Sequence, residues 1–563
     1  MTGRNESLKK TLILLGLSYV FFVLGNGVLS LTNPDEVFYV QTAKEMVQHD
    51  SWMTPYLFGV PQFEKPILLY WLLRVGLLAS GVSPFSASSA FASRFFPALF
   101  AAVGVIAVYF LARIGLKNER KAFLSAIVLL SSGLYMGLAR TVYTDMIFSV
   151  FILLALTFFF WGYETAQRRG VGFVLFFVFC ALAVLTKGPL GFGIPFLIVV
   201  VFLAIRGELR IFVCRSSAWG FLLFLAVALP WYVFVIQRFG GAFTHEFFYN
   251  DHIRRLFEAE HPGNDTWYFY LGTAVVGMFP WSIFVAVSFV QLVGRVIWRV
   301  IWHMILKQVQ PIYMFLLCWI LVTFAIFQPA HSKLVSYIVP MFPALAIMTG
   351  DLVYDWIETK ERRLAYALAL ISLVTVALIP LGLIIGPRFY HAYLPPRALV
   401  NVLIALFVVL LITMLLLIAK KKFLQCVYLL SPVLPILFFF GLSWHDDIDP
   451  RLSGKSACQY LIEHNSVENR ILCSKYFARG VYYYTNKDVA VINVGGNCFF
   501  SPHPIPYLDT DEEVKGFLKS QSTTYCILDK SSFNHLQRIA GDEMRLDIQK
   551  MTGDEYVVRV ETD

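Results

Sequence analysis

Runs of about 18 or more apolar residues recur along the first ~440 positions of this chain. Each is long enough to cross a hydrocarbon core ~30 Å thick as a helix. Inside a bilayer the backbone has no water to bond, so helices that satisfy their own amides are what such runs can become. Spans are expected at roughly 11–31, 91–113, 121–138, 144–163, 171–187, 190–206, 218–237, 268–291, 312–328, 336–357, 364–386, 398–419 and 424–443, about thirteen in all. The apolar piece Ile67–Ala79 is too short to cross and is expected at the interface. With 58% hydrophobic and 15% charged residues in 563, composition agrees: this is a polytopic membrane protein, not a soluble one. No small-residue cleavage site follows the first run, which reads as a retained span.

The net charge of +9 is carried between the spans. If the N-terminus with Arg4, Lys9 and Lys10 is inside, every inner connection is basic. These connections hold Arg113/Lys117/Arg120/Lys121, Arg168/Arg169, Arg206/Arg210/Arg215, Arg295/Arg299/Lys307, Lys360/Arg362/Arg363 and Lys420–Lys422. A miscounted span would invert that pattern from its position onward, so the charge is read as topology and not as a nucleic-acid surface. The expected orientation is N-terminus inside and C-terminus outside.

That bookkeeping gathers most chemistry-bearing residues on one side. The polar segment Asn33 to Trp71, directly after the first span, holds Asp35, Glu36, Glu64 and Lys65 among prolines and aromatics. The same outer side holds Arg140, Asp145, Lys187, the loop from Gln237 to Trp267, and His331 with Lys333. Ionisable groups near a membrane are costly and usually face a cavity or a partner. Taken singly, Lys187 also suits a snorkelling lysine, Asp145 a helix cap, and His331 an ordinary loop histidine; the convergence of the set argues for one outward site. The loop aromatics suit either sugar stacking or anchoring at the headgroup level.

After Trp444 the composition becomes that of a soluble protein. Strand-like runs (RILCSKY, VAVINV, TYCILD, EYVVRV) alternate with helix-capable stretches, predicting a small α/β domain over 444–563 behind a membrane domain over 1–443 with its first outer loop at 32–90. Cys458, Cys473, Cys498 and Cys526 lie in it, which allows one or two disulfides in an oxidising compartment, with the pairing open. Cys180, Cys214, Cys318 and Cys426 fall in or beside spans and read as packing residues. No phosphate-cradling glycine loop, serine-nucleophile elbow, zinc spacing or internal repeat is present, so ATP use is not expected.

The segment DEVFYVQTAKEMVQHDSWMTPYLFGVPQFEKPILLYW closely resembles the first outer loop of bacterial polyprenyl-phosphate-dependent glycosyltransferases, the GT-C membrane enzymes that include lipid A aminoarabinose transferase and are distantly related to protein O-mannosyltransferases. The correspondence runs through Asp35, Glu36, Tyr39, Glu45, Met46, Trp52, Pro55, Gly59, Phe63, Glu64, Lys65, Pro66, Tyr70 and Trp71. It continues at Thr144–Asp145, Thr186–Pro189, Leu229–Tyr232, Asn250–Arg255 and Lys333–Pro340, a segment that includes Tyr337. Two positions depart from the family pattern: Gln62 stands where a tyrosine often precedes F-E-K, and Ile67 replaces the second proline of K-P-P. Both leave the identity of sugar and acceptor open.

The resemblance implies an all-α polytopic GT-C bundle with a small extracytoplasmic α/β domain, in a bacterial inner membrane with that domain in the periplasm. It also implies transfer of a sugar from an undecaprenyl-phosphate (polyprenyl-phosphate) donor to lipid A or lipopolysaccharide. Alternatives are the same chemistry on protein Ser/Thr or another glycan, or a transporter of a lipid-linked sugar, against which the outer placement of the charges speaks. The candidate catalytic residues are Asp35, Glu36, Glu64 and Asp145, with Asp35 as general base or acceptor-orienting group. Lys65 and Arg255 are suited to hold the departing phosphate, backed by Lys187 and Lys333, with His252 and Tyr337 as further binding residues. No cofactor is required by the pattern; a divalent metal shared by Glu64, His252 and Asp145 is the one allowed, without diagnostic spacing. A single displacement would invert the anomeric centre. Membrane lipids are the remaining expected partner, no nucleic acid is expected, and nothing demands more than a monomer.

Overall fold

The computed structural model describes residues 2–562 except 82, 261, 304–308, 359–361, 386–394, 465–466, 497–502 and 542. Cys498, Lys307 and Lys360 therefore lie outside the described residues.

The expected spans fall on helices or broken helix pairs, except that 11–31 is helical only as far as Val23. Among the described residues, eight helices are long and apolar enough to cross a membrane, including Ala87–Leu116, Thr144–Glu164, Arg215–Phe239 and Arg397–Ala419. Two more candidates are bent pairs, Glu119–Leu130 with Gly133–Ala139 at 65°, and Phe269–Gly277 with Ser282–Arg295 at 118°. That makes eight to ten spans by length, not thirteen. The other three expected spans fall on helices one residue short of that length: Thr2–Ser18, Leu190–Arg206 and Pro311–Phe327, each 17 residues. Thr2–Ser18 runs on into a π-helical turn, Tyr19–Val23. The apolar piece after Lys65 forms a short helix, Leu68–Ser80, packed on Ala87–Leu116.

The segment after the first span is not a solvated connector. Helix Asp35–Gln48 opens with two carboxylates in its first turn, which the helix dipole favours, and it buries Glu36 through Met46. Its Glu45 accepts the amides of Phe58 and Gly59 at 2.9 and 2.8 Å and so anchors a tight hairpin, β1 (Tyr56–Leu57) with β2 (Val60–Pro61). Phe58 and Gly59 both have left-handed backbone there (φ +54° and +75°), the geometry of a two-residue hairpin turn. A glycine at the second position relieves half of that strain.

The C-terminal region holds a six-stranded sheet: β3 (Ile471–Ser474), β4 (Val489–Ile492), β5 (Tyr507–Leu508), β6 (Thr523–Asp529), β7 (Met544–Thr552) and β8 (Glu555–Thr562). Strand order is β5-β4-β3-β6-β8-β7, parallel from β5 to β6 and antiparallel beyond. Among its described cysteines, Cys458, Cys473 and Cys526 are buried and free, and no disulfide joins any two of them. Burial and not oxidation accounts for them, since all three sit in the core.

This C-terminal region is fastened to the segment around the first loop. Asp449 accepts both the amide and hydroxyl of Ser30 at 2.6 Å, and Asn33 N donates to Leu452 O at 2.8 Å. Lys44 Nζ donates to Tyr483 O at 3.1 Å. Helix Ala478–Thr485 can come this close only because position 480 has no side chain. A Cβ on Gly480 would stand 2.4 Å from Asn33 Oδ1.

Candidate functional site

Asp35 and Glu36 are neighbours in sequence with opposite surroundings. The Glu36 side chain is fully buried and accepts five hydrogen bonds: Thr32 N and Oγ1 at 2.9 Å each, Arg94 Nε at 2.9 Å and Nη2 at 2.6 Å, and Val142 N at 2.9 Å. Burial alone would raise its carboxyl, but the Arg94 charge and these donors outweigh it and hold the pKa below the ordinary value. Its lone pairs are committed to tying the first loop to helix Ala87–Leu116 and to the turn before helix Thr144–Glu164. Asp35 is half exposed, accepts a hydrogen bond from Tyr143 OH at 2.8 Å, and stands 3.8 Å from Arg479 Nη1.

A second group gathers from four distant stretches. Lys65 Nζ donates to Asp251 Oδ2 at 2.6 Å and to Glu64 O at 3.1 Å. Arg255 Nε lies 3.1 Å from Asp251 Oδ1, its Nη2 lies 2.9 Å from Glu260, and Nη1 donates to Tyr337 OH at 2.9 Å. Lys187 pairs with Asp145 and sits over the Tyr337 ring, 4.1 Å from its centroid. A cavity of about 170 Å³ is lined by Lys65, Lys187, Asp251, His252, Arg255 and Tyr337. Three carboxylates, Asp251, Glu260 and Asp145, thus hold three cations around one hollow.

The backbone that presents Asp251 and His252 is an eleven-residue π-helical stretch, Thr244–Arg254. Such widened turns are rare and tend to occur at functional sites. It approaches the end of helix Arg169–Lys187 at Gly188, where a Cβ would meet His252 Nε2 at 2.9 Å. The His252 Nδ1 faces Phe247 O at 2.7 Å, and burial lowers the imidazole pKa. Burial also raises the Glu64 carboxyl. It lifts Glu246 to about 7 with help from the Glu64 charge, despite the hydrogen bond that Glu246 accepts from Phe63 N at 3.3 Å. Asp251 behaves oppositely: burial raises it, but Lys65 and Arg255 prevail and its pKa falls.

Six expected site residues therefore converge or adjoin here: Glu64, Lys65, Lys187, His252, Arg255 and Tyr337, with Asp145 held behind Lys187. Lys333 does not line the cavity; its Nζ donates to Asp265 at 2.7 Å beside His331. The metal expectation is not met by geometry. Asp145 is paired with Lys187, His252 Nδ1 is turned to a carbonyl, and among the described residues no three His, Cys, Asp or Glu side chains form a ligand group. Four residues of the site are not apparent from sequence: Asp251, Glu246, Tyr143 and Arg479. Only Asp251 leaves a trace there, as an acid four positions before Arg255 on a helical stretch. Arg479 sits over the Phe38 ring at 4.8 Å and reaches Asp35 from far along the chain, with no local signal.

Residues 8–245 match the protein family described as dolichyl-phosphate-mannose-protein mannosyltransferase. Among curated relatives, the undecaprenyl phosphate-alpha-4-amino-4-deoxy-L-arabinose arabinosyl transferase of Shewanella sediminis is 29% identical over 387 residues, 67% of this chain and 65% of that protein. A transferase of the same description from Pseudomonas fluorescens is 30% identical over 64% of this chain and 58% of its own length. The chain thus matches slightly under two thirds of the length of these relatives. Among solved structures, ArnT from Cupriavidus metallidurans bound to undecaprenyl phosphate superposes with a TM-score of 0.74 at 19% identity, covering 97% of each chain. The archaeal oligosaccharyltransferase AglB from Archaeoglobus fulgidus reaches a TM-score of 0.54 at 12% identity, covering 98% of this chain and 74% of its own. Fold, span pattern and ordered loop motifs agree: the chain is a multi-pass membrane protein of the GT-C fold that resembles the bacterial aminoarabinose transferases.

Proposed function

We propose that this protein is a glycosyltransferase that moves a sugar from a polyprenyl-phosphate donor to lipid A at the outer face of the bacterial inner membrane. In this reading the N-terminus is inside, residues 1–443 form the transferase domain, and residues 444–563 form a periplasmic domain. The observation that carries it is the cation-lined hollow under the first outer loop, where Lys65, Lys187 and Arg255 converge from separate elements. The undecaprenyl phosphate of the arabinosyl transferase relatives supports the donor class.

The chemistry needs a leaving phosphate, an electrophilic anomeric carbon and an oriented acceptor. The acceptor oxygen attacks the anomeric carbon while the bond to the phosphate oxygen breaks, and polyprenyl phosphate departs with that electron pair. Lys65 and Arg255 donate to the phosphate as charge builds on its oxygens, with Lys187 beside them. Asp251 holds the two donors in place before the donor arrives, which removes a reorganisation step. Asp35 takes the proton of a hydroxyl acceptor; toward an already ionised phosphate it orients instead. Glu36 keeps the first loop folded, leaving Asp35 as the accessible member of the pair.

Mass spectrometry of lipid A from cells with and without this gene, complemented by wild type or Asp35→Asn, tests the reading. A mass increment that requires the wild-type gene identifies sugar and acceptor together. An unchanged lipid A fraction sinks the acceptor assignment, and wild-type transfer retained in Asp35→Asn sinks the role of Asp35.

A further inference from the structure

The C-terminal sheet carries a second cavity, of about 500 Å³, that the transfer chemistry above does not use. From β3 the chain builds outward through β4 to β5, then returns to place β6 on the other side of β3. That reversal leaves a crevice beyond the carboxyl ends of β3 and β6, where open α/β sheets characteristically bind ligands. The cavity sits there: Lys475 and Tyr476 follow β3, Asn493 follows β4, and His535 and Arg538 lie on the helix Lys530–Ala540 that follows β6. Its remaining wall reaches Pro34, the residue before Asp35.

The charges are arranged for an anion. Arg538 Nη2 stands 3.0 Å from His535 Nδ1, and an arginine only donates, so Nδ1 accepts and the ring proton is on Nε2. Nε2 in turn lies 2.8 Å from Asp511 Oδ1. The Asp511–His535–Arg538 relay orients a planar guanidinium on the cavity wall and leaves most of its N–H fork for a ligand, the geometry that phosphate recognition favours. Lys475 adds a second cation. The Asp529 carboxylate at the rim is occupied as the helix cap, accepting Ser532 N at 2.7 Å. Tyr476, partly exposed, offers an aromatic face to a sugar ring, while the Asn493 amide beside it is committed to Asp509 Oδ1 at 2.6 Å and shapes the wall.

We infer that this cavity takes a phosphorylated saccharide, and that it is the subsite which holds the acceptor's headgroup beside Asp35; the second half of that statement rests on the transfer reading above. The full chain in nanodiscs is titrated calorimetrically with glucosamine 6-phosphate, glucosamine and inorganic phosphate. Saturable binding of the sugar phosphate is expected, at least tenfold tighter than either fragment, falling at least tenfold in Arg538→Ala and less in Arg538→Lys. In transfer assays the acceptor KM should rise at least tenfold in Arg538→Ala, with kcat and the donor KM unchanged. Equal affinity for inorganic phosphate, or binding indifferent to Arg538→Ala combined with Lys475→Ala, overturns the proposal. Arg538-dependent binding in a protein that transfers nothing upholds the ligand and removes the transfer reading.

Discussion

Asp35→Asn and Glu36→Gln change adjacent residues in the same chemical way, yet the structure requires opposite outcomes. Glu36 is fully buried against the Arg94 guanidinium, whose side chain is 5% exposed. Removing the negative charge leaves a buried cation uncompensated and turns an amide toward at least one of the former donors. Breaking a buried ion pair this way costs about 3–5 kcal/mol. Asp35 is half exposed, with a single hydrogen bond from Tyr143 that an asparagine oxygen can still accept. Its loose pair with Arg479 is of the kind that contributes about 0–1 kcal/mol. Thermal stability by fluorescence-detected size exclusion should therefore fall by several degrees in Glu36→Gln and hardly move in Asp35→Asn. Turnover with a polyprenyl-phosphate sugar should fall about 10²–10⁴-fold in Asp35→Asn, the range for losing a general base. The folded fraction of Glu36→Gln should retain most of its turnover. If Glu36→Gln is as stable as wild type while losing turnover, the division of labour between the two carboxylates is refuted.

Lys65→Met should weaken binding of polyprenyl phosphate about 10–100-fold, from the ~1.5–3 kcal/mol of a hydrogen bond to a charged group, read by competition with a fluorescent analogue. Unchanged affinity would remove Lys65 from the phosphate site. Glu555 is buried in β8 with neither carboxylate oxygen hydrogen-bonded, and burial lifts its pKa to about 8. A folded-state pKa above the unfolded 4.5 means the native state binds more protons between those values, so stability declines as pH rises from ~4.5 to ~8. Glu555→Gln should raise the melting temperature at pH 8.5 and leave it nearly unchanged at pH 4.5. Gly480→Ala should shift the melting temperature down and increase proteolysis between residues 443 and 455, because the new methyl collides with Asn33 where the sheet region meets the first loop.

Many of these features are legible in the amino-acid sequence. Most expected spans lie on single helices because length and hydrophobicity suffice to place a helix in a bilayer. The α/β tail is legible because period-two strands and capped helices leave local signals, such as the Thr510–Glu513 capping box before helix Asp511–Lys519. The convergence of Glu64, Lys65, Lys187 and Arg255 on one side follows from counting spans with the charges between them. The size of the bends is not legible: Ser131, Ser132 and Gly133 mark a break in one apolar run, but only the structure gives its 65°.

The sequence by itself thus determined a many-span helical membrane protein with an α/β tail and the residue types that gather around the cation-lined hollow. Tertiary structure alone decided which carboxylate is structural. Asp35 and Glu36 are equal as residues, and only the arrival of Arg94 and Val142 from distant elements consumes one of them. The same holds for Asp251, which matters because Lys65 comes to it from 186 positions away, and for Arg479, which crosses from the tail to Asp35. Burial, charge pairing and cavity shape are properties of the assembled neighbourhood, and no local stretch of sequence contains them.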